Sequence, residues 1–320
     1  MFTLRRMAGL FAVMALALIV PASANAGGAH LLRLYKVEKH VDLEGDAQYD
    51  LKCLNGDYAV DGMWRVDQVD QDNDLPGNIK EYVAVYAAYP DSSDKSEYHF
   101  KLENLAGGDS QIKLFLTCLG KTTEPDGYVN SFNLSSRKVD SHSGGPGLVA
   151  GGFMPAGQQC GPGEIAVSPG FEFFSGSGRL VGSRTSLAGD GPPIGSNWSQ
   201  AFMLDSSSNW KSYMRCLQLK SNPGPGGKPA HKIIVLRIGG PTSNLSMIPA
   251  GWEQEKQAIC GEHYKGMVHG FDTTPGYAPY LYFWGMDPRI KARAYSFFNH
   301  DYVNPTGVWT GLTCFKDKTN

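Results

Sequence analysis

"CLNGDYAVDGMW" at residues 53–64, "CGPGEIAVSPGF" at 160–171 and "CGEHYKGMVHGF" at 260–271 share one layout. Each opens on a cysteine and closes eleven residues later on a large aromatic: Trp64, Phe171 and Phe271. Position seven after the cysteine is apolar in every copy, as Val60, Val167 and Met267. A second cysteine follows in each third of the chain: Cys118, Cys216 and Cys314. Two and six residues before it stand Leu116 and Ile112, Met214 and Trp210, and Leu312 and Val308. A period of two running into a cysteine is the pattern of a half-buried strand.

An earlier strand repeats as well. "FKLEN" at 100–104, "FMLDS" at 202–206 and "YSFFN" at 295–299 keep apolar first and third positions and a small polar fifth. The connections that follow differ in length, as loops do among copies of one unit. The expected architecture is therefore all-β: three tandem, disulfide-stapled antiparallel β-sandwich domains. The expected boundaries are 1–26 for a signal peptide and 27–122, 123–222 and 223–320 for the three repeats. The Pro/Gly stretch "SNPGPGGKPAH" at 221–231 separates the last two. The regular spacing pairs Cys53 with Cys118, Cys160 with Cys216, and Cys260 with Cys314. In the loop-closure model, closing a loop of roughly 60 residues removes about 4 kcal/mol of unfolded-state entropy.

A cysteine, an aromatic eleven residues on and a distant second cysteine resemble the Cys…Trp…Cys spacing of immunoglobulin domains. The resemblance implies that Trp64, Phe171 and Phe271 are core aromatics, each packed on its own bridge. It covers those positions only. Leu116, Met214 and Leu312 stand where that family's corner tyrosine would be, and six residues after Cys314 are too few for a full last strand.

The first 26 residues read as a secretory leader: Arg5 and Arg6, an apolar run from Met7 to Val20, then Ala24-Asn25-Ala26. The expected location is periplasmic or extracellular, where six cysteines bridge rather than stay free. No later segment is apolar enough for a membrane-spanning helix. A formal net charge of −2, with both signs interspersed, carries no footprint for nucleic acid.

Three stretches hold candidate chemistry. Asp70, Asp72, Asp74 and Glu81 imitate part of an EF-hand loop, but Leu75 stands where that loop needs glycine. They form a weak calcium candidate at millimolar Ca²⁺, set against a solvated acidic loop; no other cofactor is expected. Tyr280, Tyr282 and Trp284 alternate with Leu281 and Phe283. If they face outward, they form a ligand-binding platform for a sugar or protein; otherwise both faces of the strand are buried. His263, His269, Asp272, His300 and Asp301 crowd the last third, and surface or loop positions are the simpler reading for its histidines. The leading functional expectation is an exported, non-enzymatic structural or adhesive protein: a cell-surface, appendage or matrix component. Its partners would be a protein or glycan at a cell surface, or further copies of itself. The alternatives are a carbohydrate- or protein-binding module and, behind it, a secreted hydrolase using the last third's His and Asp residues.

Overall fold

In the computed structural model, residues 33–69, 79–106, 108–123, 130–151, 158–186, 195–222, 232–239, 245–273 and 275–318 are described. The first third supplies β1 (Leu34–Leu43), β2 (Asp46–Lys52), β3 (Tyr58–Val69), β4 (Val83–Pro90), β5 (Glu97–Asn104) and β6 (Ser110–Leu119). A short hairpin, β7 (Thr122–Thr123) with β8 (Asn130–Ser131), leads into the second. That third holds β9 (Lys138–Gly144), β10 (Gly147–Gly151), β11 (Glu164–Ser175), β12 (Gly178–Thr185), β13 (Trp198–Leu204) and β14 (Ser208–Gln218). The last contains β15 (Lys232–Gly239), β16 (Ser246–Ile248), β17 (Glu253–Ile259), β18 (Lys265–Thr273), β19 (Leu281–Pro288), β20 (Ala292–Asn299) and β21 (Thr306–Lys318). The fold is all-β, and every pairing between these strands is antiparallel.

The expected self-contained sandwiches are corrected by the strand order. One sheet runs β1-β6-β3-β19-β20-β17, another β2-β5-β4-β11-β14-β9, and a third β10-β13-β12-β18-β21-β15 with β16 beside β21. Apart from β16, each sheet takes three strands from one third of the chain and three from another. Setting aside short β16, the first, sixth and third strands of one third always continue into the fourth, fifth and second of another. The immunoglobulin arrangement, in which one domain owns both its sheets, is absent from this strand order. Local periodicity could not reveal this, because a strand shows the same alternation whichever third completes its sheet.

The disulfides join Cys53 to Cys118, Cys160 to Cys216 and Cys260 to Cys314, with Cα–Cα distances of 5.7, 5.4 and 5.8 Å. All three sit at one end of the sheets. The ends of the first, third and fifth strands, and the starts of the second, fourth and sixth, lie at the other end.

Trp64, Phe171 and Phe271 are buried, but they do not serve three separate cores. All three belong to one apolar cluster drawn from the whole chain. Trp64 meets Phe171 at 6.1 Å and Phe283 at 5.7 Å, and Phe283 meets Phe271 at 4.3 Å between ring centroids. Burying one such ring contributes on the order of 2–3 kcal/mol. A second cluster gathers Val60, Val167 and Met267 with Leu119, Leu217 and Phe315; it includes Cys160 and Cys216, while the other four cysteines lie in the first. Beside Val60, Val167 and Met267 of this second cluster β3, β11 and β18 each carry a register shift: at Ala59/Asp61, Val167/Gly170 and Gly266/Val268. A bulge sharpens local twist and re-aims the following side chains.

Where two thirds meet, the backbones come close. Gly285 of β19 pairs with Arg65 of β3 at φ +127°, and a Cβ there would lie 2.1 Å from the Trp64 carbonyl oxygen. A Cβ on Gly170 of β11 would lie 2.6 Å from the Ala88 carbonyl oxygen of β4. Glycine is required at Gly285 on both counts, conformation and space.

Because none of the thirds owns a complete sheet, calorimetry of the oxidised chain is expected to give a single unfolding transition. Three resolved transitions would show separately folding units. Gly285→Val is expected to cost about 3 kcal/mol through strain and overpacking, seen as a lower midpoint in chemical unfolding.

Candidate functional site

Asp70, Asp72 and Asp74 lie outside the described residues. Glu81 falls on the 3₁₀ turn Ile79–Tyr82 that leads into β4. Two groups of donors among the described residues have metal-like proximity, Cys160/Glu164/Cys216 and Asp50/Glu97/His99. The first is committed to a disulfide. In the second, His99 already meets Asp50 at 2.6 Å through Nδ1 and Asp91 at 3.0 Å through Nε2. Burial opposes charge on His99, yet the two carboxylates outweigh it and raise its pKa. The arrangement is a surface ion-pair cluster.

The Tyr280, Tyr282 and Trp284 platform is corrected in part. Trp284 is only 3% exposed. Its ring stacks on Phe298 at 5.1 Å, and the Lys80 ammonium from the first third stands 4.7 Å from the ring centre. Lys80 is itself held to Glu253 at 3.0 Å. Tyr282 is half-buried between the Arg179 guanidinium at 4.2 Å and the His300 ring at 5.4 Å. A register shift between Phe283 and Gly285 breaks the strict alternation that the sequence suggested. Tyr280 alone is well exposed, at the end of a 3₁₀ turn, Ala278–Tyr280, rather than on the strand.

Tyr280 instead belongs to an aromatic tip formed by three loops at the end away from the disulfides. Buried Asn299 knits these loops: its Nδ2 donates to the carbonyls of Ile248, Pro249 and Asn304 at 3.2, 3.2 and 2.8 Å. The Gly251 N–H reaches the Asp301 carbonyl at 2.9 Å, and the His300 N–H reaches the Tyr280 carbonyl at 2.8 Å. Asp301 accepts from the Val303 and Asn304 N–H groups at 2.8 and 2.9 Å. Those bonds, that of Asn304 foremost, hold its carboxyl below the usual aspartate range. The loop's order is therefore favoured above that range and weakens as pH falls through the lowered value. On this frame Trp252, Tyr302 and Val303 are 66%, 62% and 82% exposed. The sequence reading missed Trp252 and Tyr302. "NHDYVNP" at 299–305, an Asn and an Asp ahead of a Pro, was the available sign of a built loop.

His269 corrects the expectation of surface or loop histidines. It is 2% exposed. Its Nδ1 faces Asp61 Oδ1 at 2.6 Å, and its backbone N–H donates to Asp61 Oδ2 at 3.0 Å. Its Nε2 faces Ser183 Oγ at 2.8 Å, and Ser183 Oγ also accepts from Trp198 Nε1 at 3.0 Å. Arg293 Nε donates to Asp61 Oδ2 at 3.4 Å, while Nη2 reaches Thr117 Oγ1 at 3.2 Å and the Met267 carbonyl at 2.9 Å. Asp61 accepts the Nδ1 hydrogen and the backbone N–H of His269 together.

Asp–His–Ser in this order is the geometry of a nucleophilic relay. Here Asp61, His269 and Ser183 are all sealed within the core, and Ser183 is held by a tryptophan N–H on its far side. Asp61 and Thr117 come from the first third, Ser183 and Trp198 from the second, and His269 and Arg293 from the last. The network joins all three. A lone histidine among strand residues carries no local sign of a partner 208 residues away; only the strand order assembles it.

No protein-family model matches the chain, and no curated protein matches it. Among the described residues, no helix is long and apolar enough to cross a membrane.

Asp61→Asn leaves Arg293 buried without its counter-charge and is expected to cost about 3–5 kcal/mol. Chemical unfolding of the variant checks this, and a loss under 1 kcal/mol would show that the network does not hold the thirds together.

Proposed function

We propose that the chain is an exported, non-enzymatic structural or adhesive protein, one unit written three times and closed into a single rigid body that presents an aromatic tip. The observation that carries this reading is the tip itself: loops braced by Asn299, and by the His300 N–H on the Tyr280 carbonyl, hold Trp252, Tyr280 and Tyr302 open to solvent at the end away from the disulfides. Exposed aromatic faces on a fixed frame suit stacking on sugar rings or anchoring in a partner's pocket, with little entropy lost on binding. Three disulfides accord with an oxidising compartment, periplasmic or extracellular. The common strand order of the three sheets supports the triplicated unit. The enclosure of Asp61, His269 and Ser183 supports cohesion, rather than turnover, as the work of these buried polar groups.

A second reading, a dedicated carbohydrate- or protein-binding module, draws on the same aromatics. Retention of labelled chain on cells and on a glycan array separates the two. The Trp252→Ala/Tyr302→Ala double variant is expected to lose at least tenfold in retention while its melting temperature stays within a few degrees. Retention on one defined glycan class favours the module, and retention on cells with no array signal favours adhesion to protein. Wild-type retention in the double variant would sink the role given to the tip.

A further inference from the structure

The three large sheets end in six edge strands: β1 and β17, β2 and β9, β10 and β15. An edge offers backbone N–H and C=O groups to any further strand, and folds guard their edges with charge. β1, β17, β2 and β9 follow that rule, each mixing acidic and basic side chains along its length. The two edges of the remaining sheet do not. β10, "GLVAG", carries no charged residue. β15, "KIIVLRIG", has Lys232 at its first position and Arg237 near its last, and the Arg237 guanidinium is turned onto the Thr185 and Ser186 carbonyls. Between those two runs an apolar, largely β-branched stretch, Ile233 to Leu236, of the composition that favours strand pairing. Leu148 on β10 and Leu236 on β15 are exposed.

We propose that the occupant of these edges is a second copy of the chain: β15 of one molecule adds to β10 of the next, so that the sheet continues from copy to copy. The strand directions fit. Antiparallel steps from β10 through β13, β12, β18 and β21 leave β15 running opposite to β10. A neighbour in the same orientation therefore presents its β10 antiparallel to β15, the pairing every other junction in the molecule uses. The backbone phase fits as well. Lys232 is bridged to Lys220, and the Ile233 N–H donates to the Leu219 carbonyl at 2.7 Å, away from β21. Alternation then turns the N–H and carbonyl of Val235 to that same outer side. Because the two paired surfaces differ, the contact is heterologous, and each added copy brings a new β10 or β15 to the end of the row. β10 starts at the tip end and β15 finishes there, so the copies stand with their aromatic tips side by side. The inference rests on the structural reading above and adds its mode of assembly; the tip takes no part in the contact, so assembly and retention fail separately.

Sedimentation of the oxidised chain tests this: its mass is expected to rise with concentration past that of a dimer. Leu148→Lys and Leu236→Lys each set a charge on one edge at an exposed position. Each alone is expected to be still monomeric at about tenfold the concentration at which the wild type assembles. An equimolar mixture of the two is expected to stop at a dimer, formed by the intact β15 of the first and the intact β10 of the second. A wild type that stays monomeric, or assembly undisturbed in both variants, would overturn the proposal. So would dimers of Leu148→Lys alone, which would show two β15 strands pairing across a two-fold axis. Hydrogen exchange on the wild type needs no variant: residues 147–151 and 234–238 are expected to gain protection on assembly, and protection gained elsewhere instead would count against the contact. The Trp252→Ala/Tyr302→Ala double variant is expected to assemble as the wild type does, and its failure to do so would move the contact to the tip.

Discussion

Three narrow backbone junctions close this molecule. β3 meets β19 through Gly285 and Arg65, β11 meets β4 through Phe171–Ala88 and Glu172–Ala87, and β18 meets β12 through Ser183 and Phe271. One or two paired residues contribute little hydrogen-bond energy by themselves. The junctions persist because side chains beside them, Trp64, Phe171 and Phe271, pack into one shared core. Apolar burial thus holds the sheets in contact, and glycine lets the backbones approach closely enough for the ladder to continue.

Among its buried apolar residues the protein places charge. Asp61 and Arg293 have 0% and 1% of their side chains exposed, and such pairs seldom stabilise relative to a well-packed apolar substitute. What they supply is register. Asp61 faces His269 and Arg293 only when strands from the first and last thirds stand in one alignment. Ser183 and Trp198 add the second third to the same condition. A slip of one residue would bury unpaired charges, so the polar network excludes wrong alignments that apolar packing alone would tolerate.

The two ends of the body have different characters. One holds the disulfides and the chain's passage from each third to the next, while the other holds loops that differ from unit to unit. In the first third Asn104 donates to the carbonyls of Leu43 and Gly108, as Asn299 does to Ile248 and Asn304 in the last. The brace is shared, but only the last third mounts exposed Trp252 and Tyr302 on it. A common frame with divergent tips is a physical basis for presenting one contact surface without disturbing the core.

The strands, the three cysteine pairs and the apolar character of Trp64, Phe171 and Phe271 are properties of short stretches, and so they were legible from periodicity and spacing. Even the small polar residues that close β5 and β20, Asn104 and Asn299, were visible as a pattern, though not as loop braces. Which strands share a sheet was not legible, because an alternating segment buries the same face against any partner that completes its hydrogen bonds. The buried His269, the covered Trp284 and the exposed Trp252 all follow from that choice of partner. Local chemistry determined what each segment is, and the closure of three thirds around one core decided what each residue faces, since burial is set by neighbours far away along the chain.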